Sequence, residues 1–400
     1  MQLLAHLAVS LALAAGGGGG GTTGSALELV ESAPVETTLD HDDLRNADVV
    51  WLEMIAAAKK SLDFGEFYCS GNPGSRLEPV VAAIEAAAAR GVHVRFLADA
   101  KMAKTYPEIL DRLAKSKGIE VTRWDVGAAF GGILHAKYFV VDASEVYVGS
   151  QNFDWRSLEH IVELGLRVRA PQTAAAFQAV FDADWKLAHG AEHDNAFAGF
   201  PKPTSGPDTI GAAQITPAFD PEEGVPDRAW WDLPRLVALI DGATKSIKVE
   251  VLTYKSSERE LGFWGELEDP LRRAAGRGVH VELLCADWCK RKYTIEGLQS
   301  LEVLPNVDVT LVTIPEAKSG HIGYARVCHA KYCVVDGARA WLGTSNWERD
   351  YFYASRNAAI FVEGGDVPAR LERFFVELRD SPYSTKVDAC AHYEPPKIGD

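Results

Sequence analysis

The 400-residue chain lacks the surplus of positive charge that a duplex-tracking protein spreads over its surface: 41 Lys and Arg face 56 Asp and Glu, for a formal net charge of −15. A broad basic surface is excluded, so any phosphate recognition has to be local. No Asn-x-Ser/Thr sequon occurs anywhere, which removes N-glycosylation. The run Met1 to Ala15 is too short to span a membrane comfortably, since a span needs about 20 apolar residues, so an integral span in the mature chain is not expected. Cysteine is sparse, at six residues. Cys285 and Cys289 have no second Cys or His pair at zinc spacing, which favours structural use over a metal, and no metal or cofactor is expected. Paired cysteines among the six would fit an oxidising compartment. Disorder is excluded by 47% hydrophobic and 10% aromatic content.

What is present is organised as a duplication. Met1 to Ala15, with Ala12-Leu13-Ala14 as a small-x-small pattern, precedes a Gly16 to Gly21 tract. Residues 1–27 therefore read as an export signal or a disordered leader, although no Lys or Arg precedes the apolar run, and an exported (secreted, periplasmic or lumenal) protein is expected. Arg90-Gly-Val-His-Val94 recurs as Arg277-Gly-Val-His-Val281, and Lys60-Ser61-Leu62 is echoed by Lys245-Ser246-Ile247. The patterning predicts helix at Trp51 to Lys59, strand at Leu62 to Tyr68, helix at Glu78 to Arg90 and strand at Val92 to Ala98. The order returns at Leu233 to Ala243, Ile247 to Tyr254, Pro270 to Ala275 and Val279 to Cys285, so the chain reads as two copies of one α/β unit. The expected division is a first domain at 28–189, an interdomain connection at 190–228, rich in Pro, Gly, Asp and Ala, and a second domain at 229–400.

Chemistry concentrates in a motif that also occurs twice. His135-Ala136-Lys137 is followed by Asp142, and His329-Ala330-Lys331 by Asp336; downstream stand Gly149-Ser150-Gln151-Asn152 and Gly343-Thr344-Ser345-Asn346. Residues two apart on a strand share a face, so each His projects with its Lys. Two imidazoles and two ammonium groups meeting at one point repel one another unless an anion sits among them. A phosphate diester suits them, with Lys137, Lys331, Asn152 and Asn346 donating to its non-bridging oxygens.

These motifs resemble those of the phospholipase D superfamily, whose two His-x-Lys-x4-Asp sequences define it. Asn152 to Leu158, Glu163-Leu-Gly165, Tyr324-Ala-Arg-Val327, Thr344 to Trp347, Asp350-Tyr-Phe352 and Asp380 to Ser384 resemble one branch, the lysosomal single-stranded 5′ exonucleases of animals and their poxviral relatives. The resemblance implies two pseudo-symmetric α-β-α sandwich domains with one active site at their interface, and a two-step reaction through a phosphohistidine. It also implies that Cys390 ties the tail back to the second domain.

The halves differ at one informative place. Glu163 lies 28 positions after His135, whereas the same offset from His329 reaches Asn357. A carboxylate on Nδ1 fixes the tautomer and raises the basicity of Nε2. On that counting His135 is expected to be the nucleophile and His329 the acid. Asp142 and Asp336 are expected to brace backbone, and Ser150 and Thr344 to support the site from behind, their neighbouring Gly turning tightly into it. Tyr68, Tyr254, Phe263 and Trp264 are the expected pocket wall, stacking on a base or lining an acyl channel. Candidate substrates are a single-stranded nucleic-acid end or, on the alternative reading, a phospholipid headgroup cleaved by a phospholipase D or transphosphatidylase. A binding protein with a degenerate site is disfavoured by two complete motifs, and a homodimer is left open.

Overall fold

The computed structural model describes residues 25–200 and 207–399; the apolar run and the Gly tract of the expected leader lie outside them. Strand order repeats between two mixed sheets. The first runs Arg45–Asn46, Leu27–Ser32, Ile161–Val168, Glu145–Gly149, Lys137–Val141, Ser61–Glu66, His93–Asp99 and Ile119–Trp124. The second runs Asp208–Ile210, Ala213–Asp220, Asn357–Glu363, Arg339–Gly343, Tyr332–Val335, Ser246–Val251, His280–Ala286, Val307–Val312 and Ser384–Lys386. Helices Ala47–Ala57 and Leu77–Ala89 in one unit, and Asp232–Asp241 and Glu268–Gly276 in the other, lie close to where periodicity predicts them.

Alternation along the central strands decides which face meets which layer. Phe139, Val141 and Tyr147 turn toward Trp51 and the first two helices, forming a core of their own. Tyr138, Val140, Val146 and Val148 turn the other way, onto Phe177 of helix Pro171–Ala188 and into a core continuous with the second unit. The two units are thus joined by apolar packing as well as by chain.

One boundary differs from expectation. The stretch expected to connect the units, 190–228, contains Asp208–Ile210 and Ala213–Asp220, and the latter pairs along its whole length with Asn357–Glu363. The second sheet therefore begins about twenty residues before 229. Pro217 inside the strand and Pro221 after it read as breakers, because proline is depleted from strand interiors, and that obscured the pattern.

Asp142 and Asp336 do the bracing work expected of them. Each opens a tight hairpin with positive φ at two successive residues, Asp142 and Ala143 in one and Asp336 and Gly337 in the other. The Asp142 carboxylate accepts from the backbone N–H of Lys59, Lys60 and Ser61, and that of Asp336 from Thr244, Lys245 and Ser246. Each aspartate so pins the hairpin to the start of its neighbouring strand. Burial raises the Asp336 carboxyl, but the N–H donors of Ser246, Lys245 and Thr244 outweigh it and bring it down to about 2. A depressed carboxyl stabilises the fold above its unfolded value near 3.8 and ceases to do so as pH falls through about 2. Asp336→Asn should therefore cost about 1.5–3 kcal/mol at neutral pH, and urea titrations should show the gap closing between about pH 4 and 2.

Candidate active site

Each motif enters its site from a backbone segment stitched to the opposite unit. Val327–Cys328 pairs in parallel with Ile161 and Val162, and the His329 N–H donates to the Val162 carbonyl at 2.8 Å. In the mirror arrangement Leu134 bridges Arg356, and the His135 N–H donates to the Arg356 carbonyl at 2.9 Å. Arg356 is itself immobile: its buried guanidinium pairs with Asp184 at 2.7 Å and donates to the carbonyls of Asp220 and Gly224.

This crossing overturns the expected partnership of the two motif histidines. Glu163 does not serve His135. Its Oε2 lies 3.0 Å from His329 Nδ1, while Asn357 Oδ1 lies 3.1 Å from His135 Nδ1. Counting along the chain paired each His with its own half, but each motif runs beside the first residues of the other half's strand, so the partner comes from across. Both partners are held in orientation. Ser157 Oγ donates to Glu163 Oε1; Thr344 Oγ1 donates to Asn357 Oδ1, while Asn357 Nδ2 donates to the Tyr351 carbonyl. That leaves Nδ1–H as the bonded position on His135, with Nε2 free.

Ser150 and Thr344 lie behind the site, as expected, but the adjacent glycines are not turn residues. Gly149 has ordinary φ and is needed for space: a Cβ there would fall 2.7 Å from the Cα of Gly165 and 2.8 Å from the Leu164 carbonyl. Gly343 is similarly crowded by the Trp341 ring and Ala359.

His135, His329, Asn152 and Asn346 line one cavity of about 660 Å³. Lys137 and Lys331 sit deeper, each only 1% exposed, their Nζ atoms donating to the carbonyls of His135 and His329. Burial and the two ammonium groups push both imidazoles well below their ordinary range. Burial also lowers Lys331, to about 7 despite Glu163 nearby, and raises Glu163 to about 7 despite Lys331 and Ser157. An anion entering this cavity relieves the repulsion among four would-be cations.

Of the four aromatic residues expected at the wall, only Tyr68 lines the cavity. Tyr254 is buried with its hydroxyl on Glu268, Trp264 packs against Phe352, and Phe263 stands 58% exposed on a hairpin. Tyr68 is retained by a bond from its hydroxyl to Asp154, and its ring stacks on Tyr106. The wall is completed by residues not assigned to it from sequence: Phe67 and Tyr351, whose rings lie 4.9 and 4.7 Å from His135, and Tyr106, Trp288 and Tyr324. Tyr324 and Tyr351 lie within segments that carry the family resemblance, which was the available signal.

The cysteines are unpaired. All six are free, Cys390 is exposed, and the expected tie from the tail is absent; Gln299 holds the tail instead through the carbonyls of Asp388 and Ala391. No group of three potential metal ligands from His, Cys, Asp and Glu occurs among the described residues, nor does any helix long and apolar enough to cross a membrane.

Comparison with known proteins agrees with this architecture. Residues 51–185 and 236–379 match the family model "Cardiolipin synthase, PLD-like domain". The chain is 30% identical to Phospholipase D Z of Dictyostelium discoideum over 91% of each protein. It is 31% identical to the virion nicking-joining enzyme of vaccinia virus, over 89% of this chain and 88% of that protein. The human 5′-3′ exonuclease PLD3 is 30% identical, over 91% and 81% respectively. Among solved structures, phosphatidylserine synthase from Haemophilus influenzae shares the fold, with a TM-score of 0.60 at 12% identity and 85% coverage of each chain.

The lowered Lys331 gives the site a testable pH response. A bound anion favours the protonated amine, so binding takes up a proton and weakens as pH rises through about 7. Sulfate, a dianion throughout this range, should inhibit turnover of a chromogenic diester with a constant that is flat below that point. Above it the constant should rise by up to about tenfold per pH unit. A pH-independent inhibition constant would count against a titrating lysine in the cavity.

Proposed function

The chain belongs to the phospholipase D-like family and is a phosphodiesterase; from that premise we propose that it works through a phosphohistidine, without a metal, and removes nucleotides from the 5′ end of single-stranded DNA or RNA. The observation that carries this reading is one cavity in which two His, backed by two Lys and flanked by two Asn, are walled by aromatic rings. Aromatic walls suit a splayed base, each stack contributing about 1–3 kcal/mol.

The crossed partners exchange the roles expected from sequence counting. His329 is the nucleophile: Glu163 on its Nδ1 raises the basicity of Nε2 and balances the positive imidazole that forms once Nε2 bonds to phosphorus. His135, held by the neutral Asn357, is the acid. Once the anionic diester is bound, its imidazolium form is favoured, and with no carboxylate to hold the charge it yields its Nε2 proton to the departing 5′ oxygen. In the first step the bond from phosphorus to that oxygen breaks as the bond to His329 forms. In the second, a water gives a proton to His135 and its oxygen displaces His329, releasing a nucleoside 3′-phosphate. Lys137, Lys331, Asn152 and Asn346 stabilise the charge that gathers on the non-bridging oxygens.

Apolar lining from Ile161, Leu252 and Val327 supports a second reading, a phospholipid substrate with water or an alcohol as acceptor. Both readings use the same histidines, so role and substrate are tested separately. With a nitrophenyl leaving group that needs no acid, His135→Ala should accumulate an adduct on His329, detectable by mass spectrometry, while His329→Ala forms none. An adduct on position 135 reverses the roles. For substrate, 5′-hydroxyl single strands should shorten one nucleotide at a time, 5′-phosphorylated strands more slowly and matched duplex least. Mid-chain fragments as first products contradict the exonuclease reading, and headgroup release from phosphatidylcholine or phosphatidylglycerol with intact oligonucleotides favours the lipid one.

A further inference from the structure

The acidic chain carries one run of three successive cations, Lys290-Arg291-Lys292, which begins two residues after Trp288. Trp288 lines the cavity, and Arg291 Nε donates to the Trp288 carbonyl at 3.0 Å. The positive charge of Arg291 is felt by Tyr351, the ring beside His135. Arg291 and Lys292 are exposed and form no ion pair among the described residues. Next comes Tyr293, 36% exposed, with a φ of 71° that a bulky residue rarely adopts. Its backbone N–H is fixed by Glu296, and the Lys292 ammonium lies 5.1 Å from its ring centroid.

A second element touches, through its base, the helix that follows this loop. The hairpin formed by Ser257–Glu258 and Gly262–Phe263 carries exposed Phe263 and the exposed cation Arg259, likewise without an ion pair among the described residues. Ser256 at its base abuts Gly297 in the helix Ile295–Glu302 that follows the loop. Trp264, after the hairpin, packs on Phe352, the neighbour of Tyr351.

We propose that loop 288–293 and hairpin 257–263 form a track outside the cavity that holds the downstream stretch of a single-stranded polynucleotide. Cations interleaved with aromatic rings are the arrangement that grips a strand without reading its sequence, the rings meeting bases and the cations meeting phosphates. A bilayer is the poorer match. Acidic Glu258, Glu260 and Glu296 are set among the cations, so the face presents a narrow line of positive charge, as a strand requires, in place of a uniformly basic plane. In a protein of net charge −15 this track supplies the local attraction that the molecule as a whole does not.

The inference rests on the exonuclease reading and is tested by comparing substrate lengths. Arg259→Glu with Lys292→Glu, and separately Tyr293→Ala, are assayed on an oligothymidylate of about 20 nucleotides and on a thymidine dinucleotide, which is too short to reach beyond the rim. In both variants kcat/KM for the long substrate, relative to the short one, should fall about fivefold or more. In the charge-reversed protein the salt dependence for the long substrate should flatten by about 1.4 log units per log unit of salt, from ~0.7 for each lost cation. Equal losses on both lengths, or an unchanged salt slope, overturn the track. If the unaltered protein cleaves no oligonucleotide at all, the exonuclease reading fails first. Capture by phosphatidylglycerol vesicles that is abolished in the charge-reversed protein then gives this face to a lipid surface and overturns the proposal.

Discussion

Two backbone hydrogen bonds, from His135 to the Arg356 carbonyl and from His329 to the Val162 carbonyl, set the terms for everything in the site. They lay each motif against a strand of the opposite unit and so decide which side chain faces which imidazole. The helices, the cores and the flanking hairpins keep these two contacts in register. The buried Arg356–Asp184 pair locks one of them, at a desolvation cost that its bonds to the Asp220 and Gly224 carbonyls offset. Apolar packing between Tyr138, Phe177 and Phe219 sets the spacing of the units at the same junction.

Upon that frame the electrostatics are simple. Two lysines and two histidines buried side by side disfavour their own charged forms, and the pressure is released when an anion arrives. The lysines cannot swing away, because each Nζ is tied to the carbonyl of the histidine two residues before it. The site is therefore organised before substrate enters, and little rearrangement is left for the reaction itself. The asymmetry between Glu163 and Asn357 then gives two otherwise similar imidazoles different partners, a carboxylate for His329 and an amide for His135.

Most of this frame can be read in the sequence, since duplicated motifs and alternating apolar runs follow local rules. The strands near Leu62, Val92, Ile247 and Val279 were legible for that reason, as were the bracing aspartates at positions 142 and 336. Ala213–Asp220 was not, because Pro217 breaks the local rule while cross-strand pairing with Asn357–Glu363 satisfies the chain anyway. The partners of the two histidines were hidden for a different reason: an offset along the chain carries no information about which half a strand docks on. Aromatic residues were the least legible. Tyr254 corresponds to Cys69 and not to Tyr68, since each opens the short strand beside Trp347 or Phe153, and that offset of one residue turns Tyr254 away from the cavity onto Glu268.

The crossed wiring also bears on how such a protein can change over generations. Had each histidine drawn its partner from its own half, either copy of the duplication could have drifted without consulting the other. Here a half carries the motif of one histidine and the orienting group of the other, so neither is self-sufficient. A lesion in one copy reaches the surroundings of both histidines, and a fragment ending in the linker carries no complete set. Divergence between the copies is accordingly free in the outer strands and loops, where Lys290-Arg291-Lys292 stands against a segment with only Lys101 and Lys104 after the equivalent strand of the first unit, and closed at the junction, where inheritance is joint.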